Sequence, residues 1–302
     1  MNKIKLRWVI SHEPVELFLR TADAFVKEIN EKAGDRLEVE IIVEPETPKL
    51  LNRLTAGEME ITHTESHFFG QWNKNFRVFD MPFLFRDHDH CTRVLDGQIG
   101  KALCQNLANH ANMRGLGFTY SGGYRVIGSQ EPIKTFEDLQ NLRVVVNHNP
   151  VNSYTMNAVG AIPQLQLYAA DNYGYDRIAN NEVDASETTY IRFQRLSKGK
   201  AVLKTNHSMF ITVIAINETF FQGLDKDLKE IIETAAKNAA VMEREISIKD
   251  AEEFEKNCHA NGVTITQLSS EDQKQFYDSV MPIYDEWKDQ FLPGMIEHIK
   301  LH

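Results

Sequence analysis

The sequence predicts an α/β fold in two units, and three observations carry that expectation. The opening, Ile4 to Thr64, alternates strand and helix patterns as β-α-β-α-β, which suits a doubly wound sheet. The middle, Ser121 to Gly160, starts the same grammar again as strand, turn, helix, strand and helix. Asp225 to about Ala260 holds no proline and no glycine and carries a helical apolar stripe. At 1.5 Å per residue such a helix reaches about 54 Å. That is too long for one face of a small domain, so it is expected to run along both.

In chain order, Ile4 to Ile10 alternates as a first strand, with Ser11 and His12 at its carboxyl end. Pro14 suits the first turn of the next helix, where Val15, Phe18, Leu19, Ala22, Phe25, Val26 and Ile29 recur at helical spacing until Gly34. Leu37 to Val43 is a second strand. A helix from about Pro48 to Ala56 ends at Gly57, and a third strand runs from about Met59 to Thr64, delivering Glu65 and Phe68 at its end. A helix starts near Asp89, another spans Ile99 to Ala111, and Leu116 to Tyr120 is a strand.

Gly122 and Gly123 lead into the β-rich run Tyr124 to Gly128, with Arg125 inside it. Thr135 opens a short helix at TFEDL, where Glu137 and Asp138 suit a first turn and Asn141 can end it. Arg143 to Val146 is too β-branched for a comfortable helix and reads as a strand. A helix from Ser153 to Val159 stops at Gly160, and one from about Ala170 to Asn180 precedes Asn181 to Tyr190. Phe210 to Ile216 is a short, apolar run interrupted only by Thr212, a buried strand by its length. After the long helix, Gly262 ends it, Val263 to Thr266 forms a strand, and Ser269 and Ser270 cap a final helical region with Trp287 and Phe291. No repeat, low-complexity tract or flexible linker is present, so several crossings between the units are expected.

Composition bounds the function. The chain has 302 residues, enough for two ordinary domains, and 42% of them are hydrophobic, enough for a core. A net charge of −10 argues against a nucleic-acid partner, which needs a basic face. No apolar run approaches the roughly 18 residues of a membrane helix. The opening MNKIKLRWVISHE lacks the apolar stretch of a signal peptide, so the chain is either cytoplasmic or a mature form without its leader. Cys91, Cys104 and Cys258 are odd in number and far apart, and they read as small packed thiols.

Asp87-His88-Asp89-His90-Cys91 invites a metal reading, but alternate residues converge only on a strand or loop, and this stretch looks like a capped helix start. No metal and no cofactor are expected. Hydrolase and nucleotide motifs are absent, and Cys258-His259 are helix neighbours that point about 100° apart. Glu65 and Glu187 as an acid/base pair is the remote enzymatic alternative; the expectation is a protein that is no enzyme.

Several stretches resemble one family. GGYRVIGS followed by EDLQNLRVVVN resembles the "G-x-R" strand and "D-L-x-G-L-K-I-R-V-P" run of the DctP-type receptors of tripartite ATP-independent periplasmic (TRAP) transporters. VFDMPFLF, Gly160-Ala161-Ile162-Pro163, NEVDASETTY and Asn217-Glu218-Thr219-Phe220 resemble further family motifs, in the family's order. The resemblance implies the two-domain periplasmic solute-binding protein fold. One domain would be 1–122 plus about 206–247 and the other 123–205 plus about 248–302, with a ligand cleft between them and the long helix spanning both. It also implies a periplasmic, monomeric receptor that hands a small organic solute to membrane permease subunits.

Two departures bear on the ligand. The arginine of "K-I-R-V", which clamps a carboxylate in the family, is Val145 here, with Arg143 at the preceding lysine, and the asparagine of "D-G-q-E-N-P" is Thr188. Arg125 and Glu187 are retained. The expected pocket holds Glu65, Arg125, His148, Thr188 and Glu187, with Phe68, Tyr124 and Val145 as walls and His12 at its edge. Loss of the clamp beside a retained Glu65 favours an amine or zwitterion; a small organic acid held by Arg125 is the alternative.

Overall fold

The computed structural model describes residues 3–11, 17–44, 49–167, 172, 174–196 and 199–302. His12 and Pro14 lie outside the described residues. The strands are β1 (Ile4–Ser11), β2 (Leu37–Glu44), β3 (Ile61–Glu65), β4 (Met113–Thr119), β5 (Val126–Ser129), β6 (Arg143–Val146), β7 (Ile162–Leu165), β8 (Ala185–Thr188), β9 (Ala201–Leu203), β10 (Thr212–Asn217) and β11 (Thr264–Thr266). They build two sheets, one ordered β2-β1-β3-β10-β4 and the other β11-β9-β5-β8-β6-β7. In the first, β1 runs parallel to β2 and β3, while β10 lies antiparallel between β3 and β4. In the second, β6 is parallel to β7 and β8, and β5 is antiparallel to β8 and β9.

The strand period of two explains each core. Leu6, Trp8 and Ile10 of β1 face one cluster with Phe25, Ile214, Leu228 and Ile232, while Val9 faces the other side with Phe69, Phe76, Phe79 and Phe118. Helix α1 (Leu17–Ala33) covers the first of these faces. In the second sheet, Val144 and Val146 pack with Ile127, Leu139 and Phe276, and Val145 packs on the opposite face with Tyr175, Ile178 and Val183.

Between these lie α2 (Leu50–Thr55), α3 (His88–Asp96), α4 (Gln98–His110), α5 (Pro150–Ala158), α6 (Tyr175–Ala179), α7 (Tyr190–Leu196) and α8 (Glu218–Gln222). Helix α9 (Lys226–Asn257) is unbroken over 32 residues. Its first half buries Leu228, Ile232, Ala235 and Ala239 against the first sheet, and Phe254 joins Val126, Tyr190 and Phe193 of the second. The long helix thus backs both sheets, as its length requires.

The chain passes between the sheets at Tyr120–Arg125 and again at Lys204–Ser208, and the two passages pair. Tyr124 bridges Met209, Arg125 N donates to Ser208 O at 2.8 Å and Phe210 N donates to Gly123 O at 2.9 Å. Beyond α10 (Ser270–Val280), helices α11 (Ile283–Trp287) and α12 (Met295–Leu301) return to the first unit. Ile283, Phe291, Ile296 and Ile299 share the cluster of Phe69 and Phe76, whereas the sequence placed everything after 248 with the second sheet. Their apolar spacing shows a buried face but not whose. The short helix expected at TFEDL is a single 3-10 turn, Glu137–Leu139.

Asp87 caps α3, its carboxylate accepting from His90 N at 2.6 Å. The His90 ring is engaged by Arg86 N at 3.1 Å and Ile299 O at 2.7 Å, so the acidic-histidine run serves structure. Asp87→Ala should cost about 1 kcal/mol, read as a lower urea midpoint with an unchanged slope.

Candidate functional site

Where the two sheets meet, the carboxyl ends of β3, β6 and β8 converge, the place where open α/β sheets collect ligands. The cleft there is lined by Glu65, Arg125, Asn147, Gln166, Tyr175, Ser186, Glu187, Thr188, Arg192 and Phe210. Water-sized bodies have only about 20 Å³ of room inside, about what one or two waters need, so the walls are nearly shut. A larger groove of about 480 Å³ beside Phe83, Lys204 and Tyr277 gathers no comparable set of buried charges, so size alone does not mark the site.

Arg125 is 3% exposed, and its guanidinium lies 4.1 Å from the Phe210 ring centroid. Nη1 is 3.7 Å from Glu187 Oε2, an ion pair longer than a hydrogen bond. Nε and Nη2 are buried with no hydrogen-bond partner among the described residues. Those two N–H groups share one edge of a planar fork, the edge that matches the two oxygens of a carboxylate. Arg192 comes from the first turn of α7, which starts directly after β8, and its guanidinium is 4.3 Å from the same Phe210 ring. One aromatic ring therefore holds two buried guanidiniums.

Two carboxylates offset them. Glu65 Oε2 accepts from Asn147 Nδ2 at 2.9 Å and lies 3.1 Å from His67 Nδ1. Burial would push Glu65 up; the His67 hydrogen bond and charge, with Arg192 and Arg125, pull it down to about 2. Glu187 accepts from His207 Nε2 at 2.8 Å and from Asn152. Burial works against its charge as well, but Arg125, His207 and Asn152 hold its carboxyl below the ordinary value. Behind them, burial lifts Asp80 to about 6. The Glu65–Asn147 bond joins the first sheet to the second, so the cleft is closed by its own side chains.

Of the residues expected from sequence, Glu65, Arg125, Thr188 and Glu187 line the cleft. Tyr124 does not line it; its ring packs 4.9 Å from the His88 ring. Phe68 is also absent from the lining and lies against the first core, its ring 4.1 Å from that of His67. His148 is exposed, its Nε2 2.8 Å from Gln166 O. Val145 lies on the face of β6 under Tyr175, whose hydroxyl meets Thr188 Oγ1. Arg143 pairs with Asp184 through Nε at 2.9 Å and Nη2 at 2.7 Å, away from the cleft. Asn147 opens the segment to Asn152 that follows a strand end, a place where ligands collect, whereas Arg192, Tyr175 and Phe210 were not expected. The signal for Arg192 was present in TTYIRFQRL, whose start on α7 right after a strand fixes the arginine over the strand end.

The model of the bacterial extracellular solute-binding proteins, family 7 (DctP), matches residues 11–290. A solute-binding protein of Sulfitobacter sp. strain NAS-14.1 is 26% identical over 293 residues, covering 93% of this chain and 86% of that protein. The C4-dicarboxylate-binding periplasmic protein DctP of Rhodobacter capsulatus is 23% identical over 83% of this chain and 75% of its own. Among solved structures, a TRAP periplasmic solute-binding protein of Shewanella oneidensis with bound succinate superposes with a TM-score of 0.88 at 19% identity, covering 99% of both chains. One from Roseobacter denitrificans with bound β-D-glucuronate also gives 0.88, at 21% identity over 98% of this chain and 99% of its own.

Proposed function

Because the chain belongs to the DctP family, bacterial extracellular solute-binding protein family 7, we propose that this TRAP receptor captures a small monocarboxylate that also carries a hydrogen-bond donor, a zwitterion or a hydroxy acid. The observation that carries this reading is the free edge of Arg125, with Nε and Nη2 buried and unpartnered among the described residues. A carboxylate there satisfies both donors at once. Arg192 across the Phe210 ring adds a second positive charge, which moves the reading towards an acid and away from the simple amine that Val145 suggested. Glu65 and Glu187 weigh against a dianion, because two further buried negative charges would face them. The same Glu65 offers an acceptor to an ammonium or hydroxyl at the other end of the ligand.

The units that close on this ligand are 1–122 plus about 206–247 and 123–205 plus about 248–280, with the remaining C-terminal helices returning to the first. The reading includes delivery to permease subunits, a periplasmic location, a monomeric state and binding without turnover; membership of the family supports the first two. No helix among the described residues is long and apolar enough to cross a membrane. A thermal-shift screen over amino acids, short hydroxy acids, dicarboxylates and simple amines tests the class. A true ligand at 100 times its Kd adds about 2.7 kcal/mol, and the radius of gyration falls as the cleft closes on it. Preference for simple amines, or steady formation of a product, would overturn the proposal.

A further inference from the structure

The first passage between the sheets is held to the middle of α9 by a buried pair of side chains, away from the cleft lining. Glu243 is 2% exposed and Ser247 is fully buried. Glu243 Oε2 accepts from Tyr120 N at 2.7 Å, Ser247 Oγ donates to Glu243 Oε1 at 2.6 Å, and Gly122 N donates to Ser247 Oγ at 3.0 Å. The backbone they grip is unusual. Ser121, Gly122 and Gly123 have φ of 36°, 100° and 84°, three successive residues in the left-handed half of the map. For Ser121 that conformation costs energy, since it carries a Cβ. Gly122 cannot carry one, because a Cβ there would lie 2.3 Å from Thr189 Oγ1. The same passage touches the site, as Arg192 Nη2 donates to Ser121 Oγ at 3.4 Å.

We propose that Glu243 and Ser247 are positioning residues for ligand capture, holding the strained Tyr120–Gly123 passage in the geometry that the closed cleft requires. The proposal rests on the receptor reading and adds a residue pair that touches no ligand. A carboxylate and a hydroxyl buried on a helix face are costly unless satisfied. Here their partners are the backbone N–H groups that an opening of the cleft would rotate. Without the pair the passage relaxes, Arg192 loses its tie through Ser121, and the closed state is less populated. Apparent affinity falls in proportion to the competent fraction.

The test uses the full chain with Ser247→Ala and, as a gentler change of similar shape, Glu243→Gln. With a small acid found in the thermal-shift screen as probe, Ser247→Ala, which strips Gly122 N of its acceptor, should bind at least tenfold more weakly, mainly through faster release, while Glu243→Gln, whose amide still accepts from Tyr120 N and donates to Ser247 Oγ, should stay near the parent. The closed population is followed separately by electron–electron distance measurement between nitroxides at Lys101→Cys and Lys134→Cys in a Cys104→Ser background, without and with the probe. The short-distance fraction should fall in Ser247→Ala and hold in Glu243→Gln. A lower melting temperature with unchanged affinity and distances in Ser247→Ala would reduce the pair to a structural role and overturn the proposal. If the screen yields no ligand, the receptor reading fails first, and the distances in the free protein still decide whether the pair biases closure.

Discussion

Titration of Arg125→Ala with a carboxylate ligand gives no measurable heat at concentrations that saturate the parent protein. The expected loss is about 3–5 kcal/mol, the usual cost of removing one partner of a buried ionic contact. It has two parts. The ligand loses its paired donors, and Glu187 keeps its buried charge without the cation 3.7 Å away. Arg125→Lys should recover little of this, because an ammonium offers one compact charge where the planar fork offers two parallel N–H groups. Arg125→Ala that still binds the ligand at parental affinity would move the carboxylate to Arg192.

Glu65→Gln sorts ligands by charge. A zwitterion should bind more weakly by about 2–4 kcal/mol, since its ammonium loses a buried counter-charge. A hydroxy acid should lose less, because the amide oxygen still accepts from a hydroxyl. A dicarboxylate should gain, because a repelling charge is gone. The amide also keeps an acceptor for Asn147, so closure should survive, and scattering of the ligand-bound variant checks that. Equal affinities for all three classes before and after the substitution would confine Glu65 to the interlock with Asn147.

Much of the scaffold was legible because its signals are local. The β1 alternation, the Asp87 cap and the proline-free run of α9 each depend on neighbours in sequence, and each forms close to where the pattern places it. The C-terminal helices show the limit. Ile283, Ile296 and Ile299 advertise a buried face, but which sheet buries it is a long-range fact. Strand β9 was missed because Ala201–Leu203 is too short to show a period.

The site divides the same way. Glu65 sits at the end of a strand that the pattern shows, whereas Glu187 and Thr188 close β8, which was not read as a strand, and came from the family resemblance. Val145 was read as the loss of the anion clamp, and its side chain is buried beneath Tyr175, a residue that lines the cleft. The second cation enters from a different element, α7, and a motif compared position by position cannot show a replacement made elsewhere in the chain. Phe210 was visible only as a strand residue, and its place against two guanidiniums depends on three separate segments meeting.

The order of strands in the first sheet has a consequence for how the chain comes into being. Strand β10 fills the slot between β3 and β4, yet it is Thr212–Asn217, made after the β5–β9 strands of the second sheet. As the polypeptide emerges from its N-terminus, β4 has no neighbour to pair with, and β3 has one open edge. The first unit therefore cannot be completed co-translationally when its own first 122 residues are out. It waits, with unpaired backbone, until β5 to β9 have been made and the chain has come back. The nascent chain spends that interval incompletely folded, dependent on whatever keeps such edges from meeting one another.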